Sequence, residues 1–318
     1  MKFIFLFLVV STVLSPVFSQ INYDNPEGYI KQNQQNTDGK SASYVIQMKP
    51  VSILPKEIRE TSGLIYVDDN QILTHNDSGG EPVLYRFDIT LKKIIQQIRI
   101  SNVKNVDWED ITQDKNYIYI GDFGNNKGNR RDMKIYRIKK QDITVKQGDI
   151  SITADSICFK FDDQKDFTET WRKSDYDCES LIHVGDSLYV FSKDWVDRKS
   201  RLYSLPDKPG SYIAKSHGGF EAKGLVTGAA ISPDGKKIVL IGYERDPQKG
   251  SDVFLWIFTE LTPYNFLLSN KERIDLGLES VLGQTEGIDF KDNNTLYISN
   301  EELEEHKIPG RLYIVKIP

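Results

Sequence analysis

Five segments of this chain repeat one short pattern, and that repetition constrains the fold more than any other feature. They run Glu60-Thr-Ser-Gly-Leu-Ile to Asp77, Trp108-Glu-Asp-Ile-Thr to Asp122, Cys178-Glu-Ser-Leu-Ile to Asp194, Val226-Thr-Gly-Ala-Ala-Ile to Glu244, and Thr285-Glu-Gly-Ile-Asp-Phe to Glu301. Each opens on polar or small residues, enters an apolar stretch and turns at Asp, Asn or Gly. A second apolar run follows, as in Gln71-Ile-Leu-Thr, Tyr117-Ile-Tyr-Ile, Leu188-Tyr-Val-Phe, Ile238-Val-Leu-Ile and Leu296-Tyr-Ile-Ser. An acidic, Asn-rich or Gly-rich loop leads to a third, as in Leu84-Tyr-Arg-Phe or Leu312-Tyr-Ile-Val. Short β-branched and aromatic runs bounded by turn residues read as strands, and no long segment carries a helical period.

A fourth strand is expected at 94–100, 150–161, 212–220 and 266–276 in the first four repeats. The fifth repeat ends at Pro318 without one. The missing strand is available at 44–48 and 51–54, ahead of the first repeat. An all-β, five-bladed β-propeller follows, closed by an N-terminal strand that completes the C-terminal blade and leaves no open sheet edge. The matched positions 62, 109, 179, 227 and 286 are spaced by 47, 70, 48 and 59 residues. The 70-residue gap holds a polar insertion at 164–173; a sixth blade is the alternative use of that length.

Lys2 followed by the apolar run from Phe3 to Val10, then Pro16 and a small-residue end before Gln20, reads as a signal peptide over 1–19. The run is short for a membrane span, which takes about 20 residues. Residues 20–42, rich in Asn, Gln, Asp, Gly and Ser, read as a flexible lead-in, and 43–318 as a single propeller domain. A secreted or periplasmic protein, without a transmembrane anchor after processing and monomeric, is expected. The formal charge of −5 and the absence of a basic tract argue against a nucleic-acid partner. Cys158 and Cys178 fall on an outer and an inner strand and are expected to remain unpaired thiols.

In a propeller the first strand of each blade lines the central tunnel, so matched positions face one another across it. Those positions read Ser62, Glu109, Glu179, Thr227 and Glu286. Carboxylates confined together repel, and either protonate or hold a cation. Calcium, which takes six to eight oxygen ligands, suits an oxygen-only ring. The four histidines are scattered, so nothing suggests zinc. The alternative is a water-filled tunnel whose carboxylates are held by backbone donors.

These motifs, in this order, resemble those of the calcium-activated nucleotidases, or soluble apyrases. That family's Glu-Leu-Ser-Glu-Leu, Glu-Trp-Leu-Ala, His-Glu-Ser and Tyr-Glu-Gly-Ile-Glu-Phe are matched in outline by Glu60-Thr-Ser-Gly-Leu, Trp108-Glu-Asp-Ile, Cys178-Glu-Ser-Leu and Thr285-Glu-Gly-Ile-Asp-Phe. The resemblance implies a five-bladed propeller with one tunnel calcium. It puts Ser62, Glu109, Glu179 and Glu286 on ligand positions, with Thr227 replacing a serine. The run from Trp108 through Gly121-Asp-Phe-Gly-Asn-Asn more loosely resembles exported bacterial propellers of unassigned function.

Loops after the second strands share a mouth with the ring. Asp77 and Asp122 are the candidate catalytic carboxylates there, and Arg130, Arg131, Lys193, Asp194, Glu244 and Glu301 the candidate substrate-binding residues. A metal beside basic side chains can clamp phosphoryl oxygens. The family's Gly-Gly-Leu-Gly-Lys-Glu loop is replaced here by Asp122-Phe-Gly-Asn-Asn, and its Pro-Arg-Arg segment has no clear match. The expected function is a calcium-dependent hydrolase of phosphoanhydrides or a related polar substrate. The alternatives are a non-catalytic propeller with structural calcium, binding a small polar ligand, glycan or peptide at the mouth, and a glycosidase. A glycosidase would need an acid in the first blade, where Ser62 stands and only Glu60 could substitute. No serine elbow accompanies the histidines, and the Gly-rich loop at 121–128 joins two strands rather than opening a helix, so neither a Ser-His-Asp triad nor a phosphate loop is indicated.

Overall fold

The computed structural model describes residues 30–31, 45–143, 148–246 and 250–318. The expected signal peptide, and the lead-in apart from residues 30–31, lie outside them. Strands β1 (Ile30–Lys31) and β2 (Val45–Ile46) pair with each other in a short antiparallel ladder. The rest of the chain builds four-stranded units from alternating apolar runs and turns. The first is β4 (Thr61–Asp68), β5 (Gln71–Asn76), β6 (Val83–Asp88) and β7 (Lys93–Ile100). The second is β8 (Trp108–Gln113), β9 (Tyr117–Asp122), β10 (Lys134–Lys139) and β12 (Asp155–Phe161). The third is β13 (Asp177–Val184), β14 (Ser187–Lys193), β15 (Ser200–Pro206) and β16 (Gly210–Phe220). The fourth is β17 (Leu225–Ile231), β18 (Ile238–Asp246), β19 (Gly250–Thr259) and β20 (Asn270–Leu278). The fifth is β21 (Thr285–Asp292), β22 (Thr295–Asn300) and β23 (Arg311–Lys316), completed by β3 (Lys49–Ile53), which pairs antiparallel with β23.

The innermost strands β4, β8, β13, β17 and β21 pack each against the next, and β21 packs back on β4, so the ring closes. Among the described residues the chain is a β-propeller of five such units. Each gap between adjacent units is filled by its own apolar cluster. Leu64 and Ile72 pack against Tyr297 and Leu312 on one side of the first unit, while Ile65 and Leu73 pack against Ile111 and Ile120 on the other. Leu181 and Ile182 divide in the same way between the second and fourth units. Successive side chains point to opposite faces of a strand. A blade buried on both faces therefore needs apolar residues at consecutive positions, which is why the inner runs read as continuously apolar.

Two local expectations are corrected. The run expected as one strand over 150–161 divides: β11 (Ile150–Ile152) adds in parallel to β7, on the edge of the first unit, and only β12 serves the second. The long gap before β13 is filled by that detour and by 162–176, which contains no strand. In the fourth unit, Phe266–Leu268 is a single 3₁₀ turn and the strand begins at Asn270. The second and third units also join at their outer edges, where β12 and β16 pair in parallel. Cys158 and Cys178 are free thiols on β12 and β13. No helix among the described residues is long and apolar enough to cross a membrane.

Candidate functional site

Every inner strand is irregular at the same place. The pairing register slips between Thr61 and Leu64, Trp108 and Asp110, Cys178 and Ser180, Val226 and Gly228, and Thr285 and Ile288. The residues passed over include Ser62, Glu109, Glu179, Thr227 and Glu286, the five sequence-matched positions. A bulge leaves its extra residue outside the ladder and re-aims its side chain. All five are buried. At Glu286 the following glycine allows close approach: a Cβ on Gly287 would lie 2.7 Å from the Ser62 carbonyl oxygen of the neighbouring unit.

The two hydroxyls tie units together. Ser62 Oγ donates to the Glu109 carbonyl, and Thr227 Oγ1 donates to the Thr285 carbonyl at 2.7 Å. The three glutamates meet different partners. Glu179 accepts from Lys193 Nζ in a buried ion pair. Glu286 Oε1 accepts from Gln284 Nε2 at 2.7 Å, while its Oε2 is buried with no hydrogen-bond partner. Glu109 lies beside two further carboxylates, Asp77 and Asp107; one oxygen of each falls within 4.8 Å of the others. Two oxygens bound to one calcium at about 2.3–2.6 Å can be no more than roughly 5 Å apart, so this spacing fits a shared ion. The backbone of Gly124 is pressed against this group: a Cβ there would collide with Glu109 Oε1 and lie 2.5 Å from Asp107 Oδ2. Arg130 Nη1 holds the Gly124 carbonyl in place at 3.0 Å.

The charge balance at the mouth is acidic. Asp77, Asp107, Glu109, Glu179, Glu286 and Glu301 influence one another electrostatically, with Lys193 the buried ammonium among them. Burial first, and then the neighbouring carboxylates, push Asp107 up to about 7 and hold Glu109 well above the usual carboxylate range. Burial pushes Asp77 up to about 6 and Glu286 to about 7, with Lys193 opposing both. Burial works to lower the Lys193 pKa, but Glu179 overcomes it and keeps the ammonium charged. Lys193 also lies 5.2 Å from the Trp195 ring centroid and 5.4 Å from that of Tyr243.

The other sequence candidates divide between the mouth and its walls. Asp122 is fully buried and spent on structure: Oδ1 accepts from Arg130 Nη2 at 2.9 Å and Oδ2 from the Tyr136 hydroxyl at 3.0 Å. Arg131 stacks on Phe167 at 3.8 Å. Asp194 is buried against Arg201, and Glu244 pairs with Arg273 at 2.7 Å. Glu301 shares Gln284 with Glu286, accepting from its Nε2 at 3.1 Å. Sequence reading missed Asp107 as a site residue; its one signal was an acid directly preceding Trp108-Glu109-Asp110. It also missed Gln284, whose amide donates to both Glu286 and Glu301.

Among the described residues, two other groups bring three potential ligands together. Asp175, Asp194 and Asp197 cluster, but all three face Arg201. Asp114, His183 and Asp207 form the second group. There Asp114 already accepts from Asn116 N, Tyr117 N and the Tyr119 hydroxyl, at 2.5–2.9 Å.

No protein-family model matches the chain, and no curated protein matches it. Among solved structures it is similar to an α-L-arabinanase of Penicillium chrysogenum, complexed with arabinobiose, at 9% identity and TM-score 0.48, covering 85% of this chain and 97% of that one. It is also similar to the α-L-arabinofuranosidase PaAbf62A of Podospora anserina, in complex with cellotriose, at 11% identity and TM-score 0.45, covering 84% and 94%. A third is the hydrazine synthase of Kuenenia stuttgartiensis, at 12% identity and TM-score 0.40, covering 77% and 75%. Two of the three are glycosidases by description; the low identities extend the likeness to chain path and no further.

Proposed function

We propose that the protein binds one calcium ion at the tunnel mouth through Asp77, Asp107 and Glu109, and that the loaded mouth hydrolyses a polar substrate. The observation that carries this reading is the surplus of converging carboxylate oxygens, three within 4.8 Å. An oxygen-only donor set of this kind suits a hard cation. The binding site departs from the five-position ring. Glu109 remains a ligand, Glu179 is taken by Lys193, and Asp77 and Asp107 replace the rest, while Glu286 keeps one buried oxygen free of any partner. Phosphoanhydrides are the substrate class that the nucleotidase-like motifs suggest. Residues 1–19 support an exported protein, working where calcium is plentiful.

When bound, the ion would supply Lewis-acid polarisation of a substrate oxygen. The chain's own residues do the rest. Gly124, held by Arg130, lets two carboxylates converge without a side chain between them. Lys193 pairs with Glu179 and offsets one of the negative charges gathered at the mouth. Glu286 Oε2, with no donor of its own, is the free acceptor for a proton from water.

The test is thermal unfolding of residues 20–318 in EDTA, then with calcium or magnesium added. A ligand that binds only the folded state raises the melting temperature. A calcium-selective rise, lost in Asp107→Asn, followed by calcium-dependent turnover in a screen of nucleotides and other polar esters, is the expected result. A rise without turnover leaves a binding propeller with structural calcium. No rise, together with no metal in elemental analysis, removes the calcium site.

A further inference from the structure

Beside the mouth, three cations gather on one indole. Trp195 follows β14, is largely buried, and donates from Nε1 to Asp177 Oδ2 at 2.7 Å. Its ring centroid lies 5.2 Å from Lys193 Nζ, 4.7 Å from the Arg172 guanidinium carbon and 5.8 Å from that of Arg198. Lys193 is neutralised by Glu179. Among the described residues, Arg172 and Arg198 show no carboxylate within ion-pair distance, and Arg198 Nη1 is sealed from solvent with no acceptor. The nearby acids Asp175, Asp194 and Asp197 are gathered on Arg201.

Both arginines also sit in strained backbone. Arg172 has φ of 52° and Arg198 of 58°, the left-handed region that a bulky side chain seldom occupies. The strain is held by packing of the segments that carry them. Arg172 N donates to the Asn126 carbonyl at 2.8 Å, Thr170 N to that of Lys127 at 2.9 Å, and Trp195 N to that of Ser174 at 3.2 Å. The insertion at 164–173 is thereby pinned onto the loop that carries Gly124. Arg172 also stacks on Trp171, at 5.1 Å, whose indole is 59% exposed.

We infer that Arg172 and Arg198, set against Trp195 on the wall of the mouth, form a subsite for an oxyanion of the substrate, a phosphate or a carboxylate, with Trp171 offering a face to the ring that bears it. A guanidinium presents a planar fork of donors that matches two oxygens of such a group. An incoming anion supplies the negative charge that these two guanidiniums lack, since neither has a carboxylate within ion-pair distance among the described residues. Aromatic faces stack on sugar or base alike, so the anion and not the ring is what this wall selects. The role as a substrate subsite rests on the mouth being the reaction site; the binding itself does not.

The test is a tryptophan-fluorescence titration of the full mature chain in EDTA, so that calcium cannot bridge, with inorganic phosphate, sodium glucuronate and uncharged glucose. Saturable response to phosphate or glucuronate and none to glucose is expected, weakened roughly tenfold or more in Arg172→Gln and in Arg198→Gln. Arg131→Gln, on Phe167, should bind as the parent does. Response to phosphate alone supports a phosphorylated substrate, and response to glucuronate alone an acidic glycan. Should Arg198→Gln fail to fold, the exposed Arg172 carries the same test. No saturable response to either anion up to about 50 mM, or a response unchanged in Arg172→Gln, overturns the subsite. Neither result bears on calcium, which the melting experiment tests separately.

Discussion

Lys193 is the residue on which the charge of the mouth turns. Its ammonium is buried with the Glu179 carboxylate, and removing one member of such a pair leaves an uncompensated charge. Lys193→Met should therefore destabilise the protein by about 3–5 kcal/mol, read by urea unfolding. Adding Glu179→Gln to that variant should recover a large part of the loss. If the double variant is no more stable than Lys193→Met, the pairing is not what holds Lys193 in place. Sequence reading put Lys193 among loop residues available to substrate, because its place at the end of β14 carries no mark of which way the side chain turns. Asp122 shows the same limit. It ends β9 as an acid in a Gly-rich loop, which reads as a catalytic position, yet Arg130 and Tyr136 occupy both its oxygens. Glu109 and Glu286 were legible because each sits at a repeated position, and a repeat converts one chain into five aligned observations.

At the scale of elements, the inner strands are fastened to one another by side chains below the ring of bulges. Asp110 Oδ2 accepts from Leu181 N at 2.7 Å and from Ala229 N at 3.3 Å, so one carboxylate spans three units. Asp289 Oδ2 accepts from Tyr66 N at 2.7 Å and Oδ1 from Phe290 N at 2.8 Å. Burial nevertheless pushes Asp289 up to about 7, from a usual value near 4. A folded-state pKa above the unfolded one means stability that is full below about pH 4 and lost as pH rises through about 7. His75 acts oppositely: burial lowers it to about 4, so its contribution is lost as pH falls below about 6.5. Comparing variant with parent isolates the aspartate. In EDTA, Asp289→Asn should show a smaller fall in melting temperature between pH 5 and pH 8 than the parent; parallel curves would show that Asp289 titrates alike folded and unfolded. The bulges make a second demand. A Cβ on Gly287 would lie 2.7 Å from Ser62 O and 2.9 Å from Leu64 Cβ, forcing β21 and β4 apart. Gly287→Ala should lose about 1–3 kcal/mol and weaken the calcium response as well, measured by melting with and without the ion. The bulges themselves were invisible in sequence, since a pairing register exists only once two strands meet. The strand detour at 150–152 was missed for the same reason: nothing in Ile150-Ser-Ile marks it as serving the edge of another unit.

For the whole molecule, the question is what keeps five separately packed interfaces in one ring. Each apolar cluster joins only two neighbours, so a break at any interface turns the ring into an open chain of blades. The break is guarded by β3, which lies against β23 with Ile53 opposite Arg311 and Ser52 opposite Leu312, and whose following residue Leu54 donates from its backbone N to the Gly310 carbonyl at 2.8 Å. This closure was legible because the fifth repeat lacked a strand and the segment before the first repeat supplied one. Its consequence for the mouth follows from where the seam lies. The first and fifth units meet at Ser62, Thr61 and Ser299, with Thr61 Oγ1 and Ser299 Oγ 3.2 Å apart, directly beside the Glu286 bulge. A chain beginning at residue 55 keeps every residue of the carboxylate group but exposes the outer edge of β23. It should unfold at lower temperature and with a broader transition than the parent, associate through the free edge, and lose most of the calcium-induced rise in melting temperature. Supplying residues 45–54 as a separate peptide should restore part of both. A truncated chain that melts and binds calcium like the parent would mean that the inner strands hold the ring without the closing strand, and that the site depends only on the blades that carry its ligands.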